Sequence, residues 1–275
     1  RVFVRPKLIY LCLAVIVLVF NACAPISNNK PEETRSFSLV LERGEVWKGW
    51  GADPVVADIG ISGDRVTAIG DLSGQTADMR VSVEGLAVVP GFVDIHSHAV
   101  RGSRKKSGLF THPDAENYIR QGVTTVIGGP DGGSELPIAQ LLTDFENTPA
   151  SVNFGTFIGH NTVRAAVMGR EDRAPTAAEL DSMRQLFETG MRDGAFGLSS
   201  GLKYIPGAYS DTSEVIELAK IAGRYDGIYI SHMREEGLDL IKSVRETIRI
   251  GEEADLPAQV THHKVVGVDM WGASV

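Results

Sequence analysis

The distribution of apolar residues divides the chain into two parts with different periodicities. Between residues 37 and 89, apolar and polar residues alternate in short runs, a pattern typical of strands with one buried face. Turn-forming pairs such as Gly63-Asp64 and Ser73-Gly74 separate these runs. The pattern predicts a small β-sandwich layer over residues 37–89, whose strands would occupy residues 37–41, 55–61, 66–69 and 81–89.

From residue 90 onwards, short apolar runs alternate with longer amphipathic segments. The runs are apolar throughout, as expected of parallel strands that are buried on both faces. This alternation predicts an α/β fold, a (β/α)8 TIM barrel in residues 90–275 with about six of its eight units present. A doubly wound open sheet is the alternative, but no G-x-G-x-x-G motif follows a strand. The predicted strands are residues 92–98, 124–128, 153–158, 195–200, 228–232 and 258–262, and the predicted helices are residues 115–121, 135–145, 177–192, 213–225 and 238–254.

Composition narrows the class of protein mainly by exclusion. The chain is 43% hydrophobic and 23% charged, which is ordinary for a globular protein. Its formal net charge of −8 argues against a nucleic-acid partner, because binding to phosphates needs a basic surface.

The first residues have the composition of a targeting segment. A basic start, an apolar run too short to span a membrane, and Ala22-Cys23 predict a lipoprotein-type signal peptide in residues 1–23. A plain secretory signal or an uncleaved anchor are the alternatives. Residues 24–36 read as a polar tether. We therefore expect a bacterial envelope protein, periplasmic or in the outer membrane, whose only membrane contact is a lipid on Cys23.

The cysteines also bear on the chemistry of the protein. Cys12 lies in the predicted signal peptide and Cys23 would carry the lipid, so the mature protein would have no cysteine that could bind a metal.

Histidines collect where the predicted barrel strands end. His96 and His98 follow the first strand and project to the same side of an extended chain. The glycine-rich turn after the second strand presents one carboxylate, Asp131, and the fifth and sixth strands end in His232 and His262. Active sites of TIM barrels lie at these strand ends, and imidazole and carboxylate donors suit zinc. The four histidines predict a zinc centre, which would lower the pKa of a bound water to about 7 and so supply a hydroxide for amide hydrolysis.

Other polar residues at the strand ends have less certain roles. His160 is predicted to line the site, to support the metal ligands from behind or to pack in a loop, and His263 is predicted to support the ligands or to pack in the core. Arg234 would face the site and bind substrate, or it would form an ion pair with Glu235 or Glu236.

Six segments together resemble the amidohydrolase superfamily, and within it the N-acyl-D-amino-acid deacylase (D-aminoacylase) family. They read PGFVDIHSH, GVTTVIGG, GHNTVRAAVMG, GLSSGLKYIPGAY, SHMREE and THHK, and the resemblance extends over about residues 37–271. It implies a barrel that binds one or two zinc ions. It also implies that Tyr204 and Lys264 hold the α-carboxylate of the substrate. The metal ligands that it implies are His96, His98, His232 and His262.

Two departures from the family pattern affect this interpretation. The family usually has a cysteine in the turn after the second strand, where this chain has Asp131; a carboxylate can also bind or bridge zinc. The family's catalytic aspartate comes from an eighth strand, which the resemblance places beyond residue 275. We therefore expect a C-terminally truncated fragment that is inactive on its own, with its catalytic residue unknown.

The leading hypothesis is a zinc-dependent hydrolase of non-peptide carbon–nitrogen bonds that deacylates small N-acyl-D-amino acids by metal-activated water. A cyclic amidase resembling dihydroorotase, or a dipeptidase, would use the same fold and metal. From a different class, the chain would be a surface-tethered binding lipoprotein whose catalytic activity has been lost.

Overall fold

The structure, a computed structural model, describes residues 36–100 and 108–273. The predicted signal peptide, residues 1–23, lies outside the described residues, and so does the predicted tether, residues 24–36, apart from its last residue. In the described ranges, no helix is long and apolar enough to cross a membrane. The described residues divide into two compact units, with the boundary between Val89 and Pro90.

The described part of the first unit is a small sheet. Its strands are β1 (Ser36–Val46), β2 (Val55–Ser62), β3 (Arg65–Gly70), β4 (Thr76–Ser82) and β5 (Ala87–Val88). The strand order is β3-β2-β1-β4, and β5 also pairs with β1. β1 is antiparallel to β2 and parallel to β4 and β5. The described strands thus form one mixed sheet, and the second layer of the predicted sandwich is not among them.

The sheet has a small buried core. Phe37, Val40 and Leu72 are buried together, whereas Val56 and Val66 are exposed. Phe37 and Val40 lie three positions apart on β1, so the burial along this strand does not follow a strict period of two.

The second unit is built on parallel strands that succeed one another along the chain. They are β6 (Phe92–Asp94), β7 (Val123–Gly128), β8 (Asn153–Thr156), β9 (Ile158–Gly159), β10 (Gly197–Gly201), β11 (Ile228–His232) and β12 (Ala258–Val260). The sheet orders are β6-β7-β8 and β12-β11-β10-β9, and every pair is parallel. Because helices connect these strands in chain order, the arrangement confirms the partial TIM barrel.

The third predicted barrel strand is divided at Phe157 into β8 and β9. The amide of Phe157 donates to the carbonyl of Gly128 (2.9 Å), and the amide of Phe196 donates to the carbonyl of Thr156 (2.9 Å). Backbone hydrogen bonds therefore continue across the division, and the two sheets form one curved surface. The Phe157 side chain is buried with Ile127 and Ile230.

Helices follow most of the barrel strands. They are α1 (Gly108–Thr111), α2 (Glu116–Ile119), α3 (Ile138–Asn147), α4 (His160–Met168), α5 (Ala177–Arg192), α6 (Thr212–Arg224) and α7 (Leu240–Ala254), with short 3-10 helices at Gly207–Tyr209 and Val268–Met270. The bounds of α5 agree with the prediction, and its capping box is present: the Glu179 amide donates to Thr176 Oγ1 (3.3 Å). α4 is not among the predicted helices, because the pattern around His160 indicates the end of a strand followed by a loop.

The main hydrophobic core lies between the helices and the sheet β9–β12. Met183 and Phe187 of α5 and Leu218 of α6 are fully buried there against Leu198 and Tyr229. Burying one such large side chain contributes roughly 1.5–3 kcal/mol. This core fixes the strands whose carboxyl ends carry the polar residues described next.

Candidate metal centre

The structure brings His96, His98, Asp131, His232 and His262 together beyond the carboxyl ends of four barrel strands. They form two groups in which the possible ligand atoms lie within 4.8 Å of one another. One group is His96, His98 and Asp131, and the other is Asp131, His232 and His262. Asp131 therefore belongs to both groups.

The two oxygens of the Asp131 carboxylate have different neighbours. Oδ2 lies 3.2 Å from Nε2 of His98. Oδ1 lies 3.6 Å from Nε2 of His96 and 3.5 Å from Nδ1 of His232. The second group is closed by Nε2 of His262, which lies 2.9 Å from Nδ1 of His232. Four ring nitrogens thus converge on or beside one carboxylate.

The backbone after β6 holds the first two histidines in place. β6 ends at Asp94, whose Oδ1 accepts a hydrogen bond from the His96 amide (3.0 Å). Ser97 is buried, and its hydroxyl hydrogen-bonds with the hydroxyl of Tyr118 (2.9 Å). Because Ser97 is anchored in the interior, its neighbours His96 and His98 turn together toward Asp131, with their rings 5.2 Å apart.

Asp131 lies in a tightly packed turn after β7 and has a positive φ of 56°. This left-handed conformation is rare outside glycine, although aspartate adopts it more readily than most residues. A Cβ on Gly159 would lie 2.1 Å from the carbonyl oxygen of Gly132, and one on Gly201 would lie 2.2 Å from that of Asp131. The turn therefore rests directly on the ends of the neighbouring strands.

The electrostatics favour the protonation states that a metal requires. Burial alone would raise the pKa of Asp131, but the His232 and His96 imidazoles outweigh burial and hold this pKa below its ordinary value. Burial lowers the pKa of His96, an effect only partly offset by Asp131. Oδ1 of Asp131 is buried without a hydrogen-bond partner in the described part of the chain. Since an unsatisfied buried carboxylate oxygen is costly, the donor set fits a cation.

The two predicted substrate-binding residues lie near this cluster in different ways. The hydroxyl of Tyr204 lies 3.4 Å from Nδ1 of His232, and the two rings are 4.5 Å apart. Lys264 is half exposed, and its ammonium group contacts Glu236, whose other oxygen lies 2.6 Å from Nδ1 of His262. Their binding of a carboxylate stays a prediction.

Arg234 is not part of the cluster, and the prediction that it faces the site is wrong. Its guanidinium binds Glu246 of α7 (2.8 Å) and donates to the carbonyls of Ala208 (3.2 Å) and Ser210 (3.0 Å). The alternative ion pair with Glu235 or Glu236 is also wrong. β11 ends at His232, so the chain has left the strand before Arg234 and its side chain turns toward α7.

His160 is fully buried, but its partners are helix residues. Its Nε2 lies 2.8 Å from Oε1 of Glu214 in α6, and Arg164 of α4 contacts the other oxygen of that carboxylate. The prediction that His160 supports the metal ligands is therefore corrected to the packing alternative. His263 is exposed, and its role stays a prediction.

A cavity of about 520 Å³ opens beside the cluster and is lined by His98, Asp131 and Tyr204. The other lining residues carry no role predicted from the sequence, and Glu236, which contacts His262, is predicted only as an ion-pair partner of Arg234. No sequence signal separates Glu236 from its neighbour Glu235. The remaining lining residues are Val100, Pro130, Gly133, Ser134, Glu135 and Thr162.

Comparison with known proteins agrees with this site and fold, although no protein-family model matches the chain. The chain is 40% identical over 265 residues to the D-aminoacylase of Alcaligenes xylosoxydans xylosoxydans, covering 88% of this chain and 54% of the relative. A solved D-aminoacylase, described as having a binuclear metal center, matches with a TM-score of 0.79 at 35% identity, covering 86% of this chain and 54% of that one. The N-acyl-D-glutamate deacylase of Bordetella bronchiseptica, solved with zinc and a phosphonate inhibitor, matches with a TM-score of 0.80 at 29% identity, covering 87% and 54%.

The parallel barrel strands and the ligand cluster at their carboxyl ends have the arrangement of an amidohydrolase fold, the fold of the D-aminoacylases that the chain matches. The chain is a homologue of the D-aminoacylases and N-acyl-D-amino-acid deacylases, which confirms the family resemblance. The chain spans about half the length of the relatives it matches.

Proposed function

We propose that the full-length protein is a zinc-dependent hydrolase that removes the acyl group from N-acyl-D-amino acids. The observation that carries this proposal is the position of Asp131, shared by two groups of ligand atoms beside a cavity. The homology supports the choice of substrate class, because the matched relatives are D-aminoacylases and N-acyl-D-amino-acid deacylases.

The chain would hold one or two zinc ions through the same residues. His96 and His98 would bind on one side of Asp131, and His232 and His262 on the other. Bound zinc supplies Lewis acidity toward a carbonyl oxygen and lowers the pKa of water. The charge of Asp131 offsets part of the positive charge at the centre of the site.

The remaining residues of the site bind and orient the substrate. The cavity of about 520 Å³ is within the usual range for small-molecule sites. The hydroxyl of Tyr204, beside His232, donates a hydrogen bond to the α-carboxylate of the substrate. The Lys264 ammonium group contributes the opposite charge for the same carboxylate, and the acyl carbonyl then points toward the metal ligands.

The test is hydrolysis by the purified full-length protein loaded with zinc. We expect release of acetate from N-acetyl-D-amino acids and much less from the L-enantiomers, with loss of activity after chelation and recovery after zinc is restored. Substrates with acidic and with apolar D-side chains identify the preferred class. Hydrolysis of dihydroorotate or of dipeptides, with N-acyl-D-amino acids left intact, would contradict the proposal.

We also propose that the protein is located in the bacterial envelope as a lipoprotein acylated at Cys23. The support is the basic, apolar and Ala22-Cys23 pattern of the first residues. Labelling of growing cells with a fatty-acid probe should modify the protein but not the Cys23→Ser variant. Equal labelling of the two proteins, or no labelling of either, would contradict this placement.

A further inference from the structure

We propose that Glu236 is a positioning residue that orients His262 as a metal ligand and links it to Lys264. The inference rests on the proposed metal centre and adds a residue to it. Glu236 lies in the segment after β11, and its side chain is almost completely buried, with 9% of its surface exposed. A buried carboxylate needs charged or hydrogen-bonding partners, and two lie beside it.

The two nitrogens of the His262 ring have different partners and therefore different roles. Nε2 lies 2.9 Å from Nδ1 of His232, inside the ligand cluster. Nδ1 points the other way and lies 2.6 Å from Oε1 of Glu236. Nδ1 of His262 and Oε1 of Glu236 are both buried and make no other hydrogen bond within the described ranges. These two atoms can therefore pair with each other.

This arrangement decides which nitrogen of His262 carries a proton. A carboxylate beside Nδ1 stabilises a proton there, and Nε2 is then left with its lone pair directed at the cluster. Histidine ligands of metals commonly have such a partner on the second nitrogen, which fixes the ring orientation and increases its basicity. The carboxylate of Glu236 meets that requirement for His262.

The second oxygen of Glu236 contacts the ammonium group of Lys264. One carboxylate thus lies between a metal ligand and the lysine proposed to hold the substrate's charge. The positive charge of Lys264 also offsets the negative charge that Glu236 brings into the interior. The backbone of Glu236 is fixed too, because the Val266 amide donates to the Glu236 carbonyl (2.7 Å).

The neighbouring Glu235 has a different environment and provides a matched control. Its carboxylate accepts from Lys203 Nζ (2.9 Å), a half-exposed side chain, and from the amide of Gly237 (2.8 Å). Its own amide donates to Ser243 Oγ of α7 (3.0 Å). Glu235 therefore stabilises the loop without contacting a predicted metal ligand in the contacts described.

The experiment measures zinc affinity of the full-length protein by competition with a chromophoric chelator. We expect Glu236→Gln to weaken zinc binding by roughly 10–100-fold, the usual effect of losing such a partner. Glu235→Gln should leave the affinity unchanged, and Glu236→Asp, which keeps the charge, should recover part of it. Chemical unfolding of the metal-free proteins should give at most a small fall in midpoint for Glu236→Gln, because the Lys264 ammonium group is half exposed and its charge is not left buried.

Two results would overturn the inference. One is equal zinc affinity in Glu236→Gln and the wild type. The other is a loss of affinity that follows a lowered unfolding midpoint and is not recovered in Glu236→Asp, which would make Glu236 purely structural. Zinc affinity is measured without substrate, so absence of deacylase activity contradicts the proposed function but leaves this inference standing.

Discussion

Oδ1 of Asp131 lies 3.5 Å from Nδ1 of His232, although one residue follows β7 and the other ends β11. The other oxygen of the same carboxylate lies 3.2 Å from Nε2 of His98. One short side chain therefore lies between a histidine that follows β6 and a histidine that ends β11. Removing its charge should affect both groups of ligands at once.

The Asp131→Asn variant should lose most of its zinc. Asparagine has nearly the same shape and tolerates the left-handed backbone, so the loss reports the missing charge. Because Asp131 is proposed as a direct ligand, the loss of affinity should exceed the roughly 10–100-fold typical of outer partners. Asp226 has the same backbone conformation and is exposed; Asp226→Asn is the control. Elemental analysis that finds equal zinc in both variants would contradict the shared ligand.

The Tyr204→Phe variant of the full-length enzyme should keep its metal and lose turnover. A hydrogen bond to a charged group contributes roughly 1.5–3 kcal/mol, which predicts a fall in kcat/KM of about 10- to 150-fold. Lys264→Met should act in the same direction. The measurement compares an N-acyl-D-amino acid with its carboxamide, which lacks the charge. An equal fall for both substrates would show that neither residue binds the carboxylate.

The Glu214→Gln variant should be strongly destabilised. Glu214 is buried between His160 and Arg164, and breaking a buried ion pair typically costs about 3–5 kcal/mol because the remaining charge stays buried. Glu217→Gln, on the same helix α6, removes a partly exposed pair with Arg184 and should cost about 0–1 kcal/mol. Chemical unfolding measures both. Similar unfolding midpoints for Glu214→Gln and Glu217→Gln would contradict the prediction that the buried pair contributes more to stability.

The same carboxylate predicts a pH dependence of stability. Burial raises the pKa of Glu214, but His160 and Arg164 outweigh burial and hold this pKa below its ordinary value of 4.5. A carboxyl group with a lowered pKa stabilises the folded state above its ordinary pKa, and this contribution is lost as the pH falls through the lowered value. Wild-type stability should therefore fall more steeply below pH 4.5 than that of Glu214→Gln. If the free energies of unfolding of the two proteins changed in parallel with pH, the prediction would be contradicted.

The Gly159→Ala variant should weaken zinc binding without removing any ligand. Its new Cβ would lie 2.1 Å from the carbonyl oxygen of Gly132, so the turn that carries Asp131 must shift. Gly133→Ala is the control in the same turn, because its Cβ would meet only an ordinary contact at 3.8 Å. Chelator competition compares the two variants. Normal affinity in Gly159→Ala would mean that the turn adapts without moving the carboxylate.

Elements whose bounds depend on neighbouring residues in the sequence can be predicted well from the sequence. The bounds of α5 follow from its capping box at Thr176, and the strand ending in His232 follows from a short buried run between turn signals. The convergence of His96 and His232 follows from a general property of parallel barrels, whose strand ends meet at one face.

The errors concern residues whose direction depends on distant partners. Arg234 turns away from the cluster because Glu246 of α7 lies beside it, and His160 begins α4 with its ring against Glu214 of α6. Neither partner is adjacent in sequence. The role inferred for Glu236 likewise depends on His262 and Lys264, which belong to the following strand end.

The positive φ of Asp131 restricts which amino acid evolution can place there. Few side chains tolerate a left-handed backbone, and among the better tolerated residues aspartate alone carries an anionic oxygen. Glutamate has the same functional group, but its longer chain is less suited to this conformation and would carry the oxygens past the histidines. The backbone thus favours aspartate over glutamate when the ligand at this position is a carboxylate.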